Sequence, residues 1–257
     1  MRTVVVTGSA SGIGAAVCAQ LRGAGDRVVG VDLRDADVAA DLSTADGREQ
    51  AVALVARQAG GAIDGLVACA GLGPQVPAHD RVVSVNYFGA IATLAGLRPL
   101  LAKGRAPAAV AISSNSSRIV PESDAGLVDA CLAGDEERAR RLAGPLDGST
   151  VYANSKLALA RWVRRNAPGA DWAGAGIRLN AVAPGAVQTP LLQEGLDDPT
   201  FGPAIRGFPI PLGAAFGRPE QIAEAVVFLL SERASFCCGT VLYVDGGSDA
   251  LVRRDAY

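Results

Sequence analysis

The sequence predicts a single-domain α/β protein in which a seven-stranded parallel sheet is covered by helices on both faces. Three observations carry this prediction. Short apolar runs alternate with segments of helical periodicity, the pattern of a buried parallel sheet joined by crossover helices. No linker-like stretch, composition break or internal repeat divides residues 1–257. Hydrophobic residues make up 49% of the chain and charged residues 19%, which suits one large core and excludes a disordered chain.

The elements follow in order. Thr3–Thr7 is a β-branched strand, and Gly12–Ala24 is a helix with Ile13, Ala16, Val17 and Leu21 on one face. Arg27–Asp32 forms a second strand and Val38–Asp41 a short third. Gly47–Ala59 places Ala51, Leu54 and Val55 at helical spacing. Ile63–Cys69 is a buried strand, Arg81–Ala102 a helix and Ala108–Ser113 a strand. Thr150–Arg165 is a helix, Ile177–Ala183 a strand and Pro219–Leu230 a helix opened by proline. Thr240–Val244 closes the series. Two stretches lack clear periodicity. The first, about 115–149, holds one charged piece, Asp135–Arg141, read as a short surface helix. The second, 184–217, holds six prolines and several apolar residues, and its part from about 188 to 217 is read as a substrate lid.

Composition narrows the function. The 24 Lys and Arg against 26 Asp and Glu give a net charge of −2 with no basic stripe, so a nucleic-acid partner is not expected. His79 is the only histidine, which excludes sites that need two or more imidazoles, and no metal is expected. His79 is placed on a surface loop away from the chemistry. The five cysteines form no CxxC, and their odd number suits a reducing compartment. Cys237 and Cys238 are read as buried thiols. No run is long enough for a signal peptide core or a membrane span, so the expectation is a cytoplasmic protein without a membrane partner.

Three motifs carry chemistry. Thr7-Gly8-Ser9-Ala10-Ser11-Gly12-Ile13-Gly14 lies between a strand and a helix. Its glycines let backbone approach a pyrophosphate, and the helix N-terminus offers N–H groups and a positive dipole end. Asp32 ends the second strand, 18 residues after Gly14. A carboxylate there accepts hydrogen bonds from ribose hydroxyls and repels a 2′-phosphate, which favours NAD over NADP. Arg34, two residues on, argues the other way. The third motif is Tyr152-Ala153-Asn154-Ser155-Lys156, where Tyr152 and Lys156 share one helix face at i and i+4. A nearby ammonium stabilises a phenolate, and a drop of roughly three pKa units to near 7 would require about 4 kcal/mol.

Together these motifs resemble the short-chain dehydrogenase/reductases over nearly the whole chain. Ser114 after Ala111-Ile112-Ser113 matches the family's catalytic serine, and Asn86 matches a helical asparagine. Asp245-Gly246-Gly247 matches its C-terminal turn. The resemblance implies a Rossmann-like three-layer α/β/α sandwich. It implies a catalytic set of Asn86, Ser114, Tyr152 and Lys156, with Tyr152 as general acid/base and Asn86 holding a water in a proton relay. The implied NAD site comprises Gly8, Ser11, Gly12, Ile13, Gly14, Asp32, Leu33, Asp41, Leu42, Cys69, Ala70 and Gly71. Tyr152, Lys156, Pro184, Gly185, Val187 and Thr189 complete it.

Two departures stand out. Cys69-Ala70-Gly71 replaces the family's Asn-Ala-Gly, and Ser114 and Tyr152 are 38 positions apart, so 115–149 is an insertion. Both departures, with Cys69–Gln75 and Val82–Ala90, resemble the bacterial hydroxysteroid dehydrogenases of the family, which implies an apolar, steroid-like secondary alcohol or ketone. Ser114, Leu72, Pro74, Pro121, Leu191 and Leu192 are the expected substrate contacts, with Ile119, Val120, Phe208 and Ile210 beside them. The family's coniferyl-alcohol dehydrogenases share this plan, and a non-enzymatic NAD(H)-binding regulator is a second class of function. Family members associate through late helices and the last strand. An insertion before the catalytic helix would cover another interface, which favours a homodimer over a homotetramer.

Overall fold

The computed structural model describes residues 1–119, 124–213 and 216–256. The seven strands are β1 (Thr3–Thr7), β2 (Arg27–Asp32), β3 (Val38–Ala39), β4 (Gly65–Ala68), β5 (Ala108–Ile112), β6 (Arg178–Pro184) and β7 (Val241–Val244). They form one sheet in the order β3-β2-β1-β4-β5-β6-β7, every pair parallel. The sheet is the expected one, with shorter strands at β3 and β4. The chain runs outward from β1 to β3 and then crosses back to β4. The reversal opens a crevice at the carboxyl ends of β1 and β4, where sheets of this kind bind ligands.

Helices α1 (Gly12–Gly23) and α11 (Pro219–Leu230) cover one face of the sheet. Val4 and Val6 of β1 and Val110 of β5 point into that layer, while Val5 and Ala109 point into the other. The opposite face is covered by α2 (Ala45–Ala59), α3 (His79–Val83), α4 (Ala90–Leu101), α6 (Ala125–Leu132), α7 (Glu136–Ala143) and α8 (Gly148–Asn166). The period-two alternation of strand side chains thus fills two cores from runs that are apolar throughout.

The helix expected over Arg81–Ala102 begins at His79 and is interrupted by a π-helical turn, Ser84–Gly89, between α3 and α4. His79 is therefore a helix residue, half-buried, and not a loop residue. The insertion is also more ordered than its periodicity suggests. It holds α5 (Ser116–Ile119), α6 and α7, and its Leu127 and Cys131 are fully buried in the core. Its aspartates start α6, α7 and the following α8: Asp124, Asp135 and Asp147 accept hydrogen bonds from the amides of Leu127, Arg138 and Thr150 at 2.9–3.0 Å. Glu136 of α7 meets the buried Arg48 of α2 at 2.6 Å. The segment 188–217, expected to be a lid, holds α9 (Pro190–Asp197) and α10 (Gly202–Arg206), and α12 (Ser248–Val252) follows β7.

Candidate active site

The crevice is fixed by backbone contacts. Gly8 and Gly12 have φ of +69° and +52°, conformations that favour glycine. A Cβ on Gly14 would lie 1.9 Å from the Gly8 carbonyl oxygen, so α1 can start this close to β1 only without a side chain. Across the crevice the Thr7 hydroxyl accepts the amides of Cys69 and Ala70, at 3.0 and 3.1 Å. This contact holds the Cys69-Ala70-Gly71 turn through backbone amides. The Cys69 thiol is pushed up to about 12, first by burial and against the opposing charge of Lys156.

These residues fit a dinucleotide. Ser11 caps α1 without a side-chain bond, and no acid occupies the helix's first turn, so its amides face the crevice uncompensated. Asp32 stands beside the glycine loop, accepting the amides of Ala10 and Leu33 at 2.9 and 2.7 Å. Leu33 is exposed. Asp41 pairs with Arg81 at 3.6 Å and accepts the Ser43 amide. Thr189 closes the far side: its Cγ2 lies 3.1 Å from where a Gly12 Cβ would stand, and its hydroxyl caps α9 through the Leu192 amide. Gly185 packs on Asp245, and Pro184 ends β6. The side chains of Leu42 and Val187 pack in the two cores, at the crevice's edge.

The catalytic set assembles around α8 and the end of β5. Lys156 is buried and donates from Nζ to the Ile112 carbonyl at 2.9 Å, while the Ser113 hydroxyl donates to the Lys156 carbonyl at 2.9 Å. Nζ lies 5.9 Å from the centroid of the Tyr152 ring. Burial pushes the Tyr152 phenol up, and its hydrogen bond with Ser114 pulls it partly back. Burial pushes Lys156 down to about 8. The Lys156 ammonium is turned to the Ile112 carbonyl, and a cationic nicotinamide, when bound, would add the second charge expected to lower the Tyr152 pKa. The Ser114 hydroxyl also accepts the Ser116 hydroxyl and amide at 2.9 and 3.2 Å.

Asn86 sits in the π turn, a distortion often found at functional sites. Its Oδ1 accepts the Leu72 amide at 2.7 Å, and its Nδ2 donates to the Leu72 carbonyl at 3.0 Å and to the Ser155 hydroxyl at 3.3 Å. The side chain thus clamps the Leu72 backbone to α8. Gly71 lies against both Asn86 and Lys156, with their polar atoms 3.3 and 3.4 Å from a Cβ built there. Thr7 and Ser155 were missed by sequence reasoning. Ser155 stands inside the Tyr152–Lys156 motif, which was its available signal.

Among the expected substrate contacts, Leu72, Pro74, Leu191 and Leu192 are half-buried, and Leu72 also packs on the core. Pro121 and Val120 lie outside the described residues. Cys238 is exposed and Cys237 half-buried, which corrects their reading as buried thiols: the Cys238 thiol donates to the Ala167 carbonyl at the surface. Among the described residues no cluster of His, Cys, Asp and Glu could hold a metal, and no helix is long and apolar enough to cross a membrane.

A family model described as short chain dehydrogenase matches residues 2–123, and one described as enoyl-(acyl carrier protein) reductase matches 138–249. A 3-alpha-hydroxysteroid dehydrogenase/carbonyl reductase of Comamonas testosteroni is 47% identical over 98% of both chains. The chain belongs to the short-chain dehydrogenase/reductase family. A second short-chain relative, the cis-4-hydroxycyclohexanecarboxylate dehydrogenase of Sinomonas cyclohexanicum, is 35% identical over 97% of both chains. The crystal structure of a 3-alpha-hydroxysteroid dehydrogenase from Pseudomonas sp. B-0831, complexed with NADH, superposes with a TM-score of 0.94. It is 48% identical and covers 99% of this chain and all of its own. As a short-chain dehydrogenase/reductase, the protein is an oxidoreductase acting on CH–OH. The unmatched residues between the two models, 124–137, fall inside the insertion.

Proposed function

We propose that the protein interconverts a secondary alcohol and a ketone on a rigid apolar substrate of the 3α-hydroxysteroid class, with Tyr152 as general acid/base. The observation that carries this reading is the meeting of Ser114, Tyr152 and Lys156 at the end of β5, beside the glycine-lined crevice. NAD(H) is the cofactor; when bound, it accepts or supplies the hydride. Gly8, Ser11, Gly12, Ile13 and Gly14 would hold its pyrophosphate. Asp32, with Leu33 and Asp41, would hold the adenosine end, and Gly185 and Thr189 the nicotinamide end. Asp32 next to the Ala10 amide places a negative charge where a 2′-phosphate would have to go, which supports NAD over NADP.

Tyr152 removes the alcohol proton in oxidation and returns it in reduction. Ser114 donates a hydrogen bond that orients the substrate oxygen. Lys156 keeps a positive charge on the face of α8 that bears Tyr152. Asn86 positions the Leu72 backbone, and its Oδ1, which accepts one bond from the Leu72 amide, keeps a lone pair for the relay water. Leu72, Pro74, Leu191 and Leu192 supply the apolar walls. The Comamonas relative's name supports a 3α-hydroxysteroid, and the Sinomonas relative's name a smaller alicyclic alcohol. A homodimer is favoured. β7 is a sheet edge with all four residues half-buried, and Phe228 of α11 and Phe236 are exposed near it. Five free cysteines support a cytoplasmic location.

The test is nicotinamide absorbance with NAD or NADP and a panel: a 3α-hydroxysteroid, its 3β epimer, coniferyl alcohol and a simple alicyclic alcohol. Reduction of NAD by the 3α epimer is the expected result. Turnover of the other alcohols alone would move the substrate class and leave the chemistry in place. A preference for NADP would overturn the role given to Asp32. Light scattering decides the assembly, and a tetramer mass would overturn the dimer.

A further inference from the structure

The lid is attached to the body of the protein unevenly. Its base is zipped by two backbone bonds, Gln188 amide to Gly217 carbonyl at 2.8 Å and Gly217 amide to Ala186 carbonyl at 2.9 Å. Its distal end is pinned to the turn after β7: the Ser248 hydroxyl donates to the Pro209 carbonyl at 2.7 Å, and the Leu212 amide to the Gly246 carbonyl at 2.9 Å. Between these points α9 and α10 pack chiefly on each other. Among the described residues, one side chain of the body hydrogen-bonds into 190–208. Gln75 donates from Nε2 to the Glu194 carboxylate at 3.1 Å and, at the longer distance of 3.4 Å, to the Leu191 carbonyl.

Gln75 reaches the lid through space left by glycines. Its Oε1 lies 2.2 Å from where a Gly73 Cβ would stand and 3.8 Å from a Gly195 Cβ, so the carboxamide is threaded between a loop glycine and a lid glycine. The loop that carries Gln75 is itself anchored to the catalytic helix. Asn86 clamps Leu72 and binds Ser155 of α8, and the Pro74 carbonyl packs against Gly148 at the start of α8. Gln75 therefore joins the lid to a loop already fixed to the helix bearing Tyr152. The Oε1 atom is buried and has no partner among the described residues.

We propose that Gln75 is a positioning residue of the substrate cleft: its carboxamide holds α9 against the loop bearing Leu72 and Pro74, and so sets how tightly the lid closes over substrate. The proposal rests on reading 188–217 as the substrate lid. Gln75 itself touches neither the reacting atoms nor the cofactor crevice.

The test compares wild type with Gln75→Glu, Glu194→Gln and the double variant. Gln75→Glu sets two carboxylates against each other, while Glu194→Gln keeps an acceptor for Gln75. In the double variant the bond reverses, with Gln at 194 donating to Glu at 75. Gln75→Glu is expected to speed amide exchange in α9 and raise the substrate KM, each about tenfold, the scale of one charged hydrogen bond. It should leave kcat and NADH affinity near wild type, and the double variant should recover most of both losses. Unchanged α9 exchange in Gln75→Glu would overturn the latch. So would a double variant as loose as the single one, or an NADH affinity that falls in step with the KM. Amide exchange needs no substrate, so it decides the latch even if no alcohol in the panel turns over.

Discussion

The two walls of the cleft are built in different ways. The wall formed by β1, α1, β2 and the turn after β4 is made of backbone: Gly8 and Gly12 in left-handed conformations, Gly14 pressed on the Gly8 carbonyl, and Thr7 holding two amides. The opposite wall is made of side chains. There the insertion is welded into the core by Leu127 and Cys131, while Gln75 hydrogen-bonds α9 of the proposed lid. A backbone wall tolerates few residues at few positions and so leaves a motif. A side-chain wall can be built many ways, which leaves substrate choice free to vary on a fixed cofactor site.

That difference explains what the sequence disclosed. The seven strands were legible because each is a short apolar run, and the crevice was legible because only glycine fits Gly8, Gly12 and Gly14. Ile63–Cys69 shortens to Gly65–Ala68: at its end Cys69 bends into the turn held by Thr7, and at its start the Asp64 carboxylate takes the amides of Thr3 and Arg105. The charged piece Asp135–Arg141 was legible as a helix and is α7, whereas α6 stayed hidden because it is apolar on most faces. The insertion's signal lay in the capping aspartates Asp124, Asp135 and Asp147, each three residues before the amide it accepts. The π turn around Asn86 leaves no comparable trace, because one extra residue per turn changes no residue type.

The sharpest way to separate chemistry from both walls is Tyr152→Phe. It removes the acid/base hydroxyl and keeps the ring. Turnover should fall about 10³-fold while NADH affinity stays near wild type, measured by single-turnover kinetics and fluorescence titration. Retained turnover would mean that another group moves the proton.

Leu127→Ala tests whether the insertion belongs to the core. Leu127 is fully buried, so truncation should cost about 2–5 kcal/mol in urea unfolding, in the range of any core leucine. NADH affinity in the folded fraction should hold. A cost under about 0.5 kcal/mol would place the insertion among surface features.

Asp32→Ser removes the carboxylate from the backbone wall. The carboxylate now takes the Ala10 and Leu33 amides, and its removal should narrow the preference for NAD over NADP by about tenfold or more, read as the ratio of kcat/KM. Turnover with the same alcohol should otherwise persist. An unchanged ratio would transfer cofactor choice to Arg34 and its neighbours.

A pH-dependent effect lies at Lys156. Burial lowers its pKa from 10.5 to about 8, so between these values the unfolded chain binds a proton that the folded protein does not. Stability therefore rises with pH through that window on account of Lys156. Tyr152 and Cys69 act in the opposite sense. Burial raises both, so the folded state keeps protons that the unfolded chain releases, from about pH 9 upward for Cys69 and above pH 10 for Tyr152. Cys18, Cys131 and Tyr87, also raised by burial, act with them, so the net wild-type trend at alkaline pH is downward. Subtracting the curve of Lys156→Met isolates the lysine. Relative to that variant, the wild type should gain stability steadily from pH 8 to 10.5, measured by urea unfolding at fixed ionic strength. A flat difference would mean that Lys156 keeps its proton at alkaline pH, held by the Ile112 carbonyl strongly enough to offset its burial.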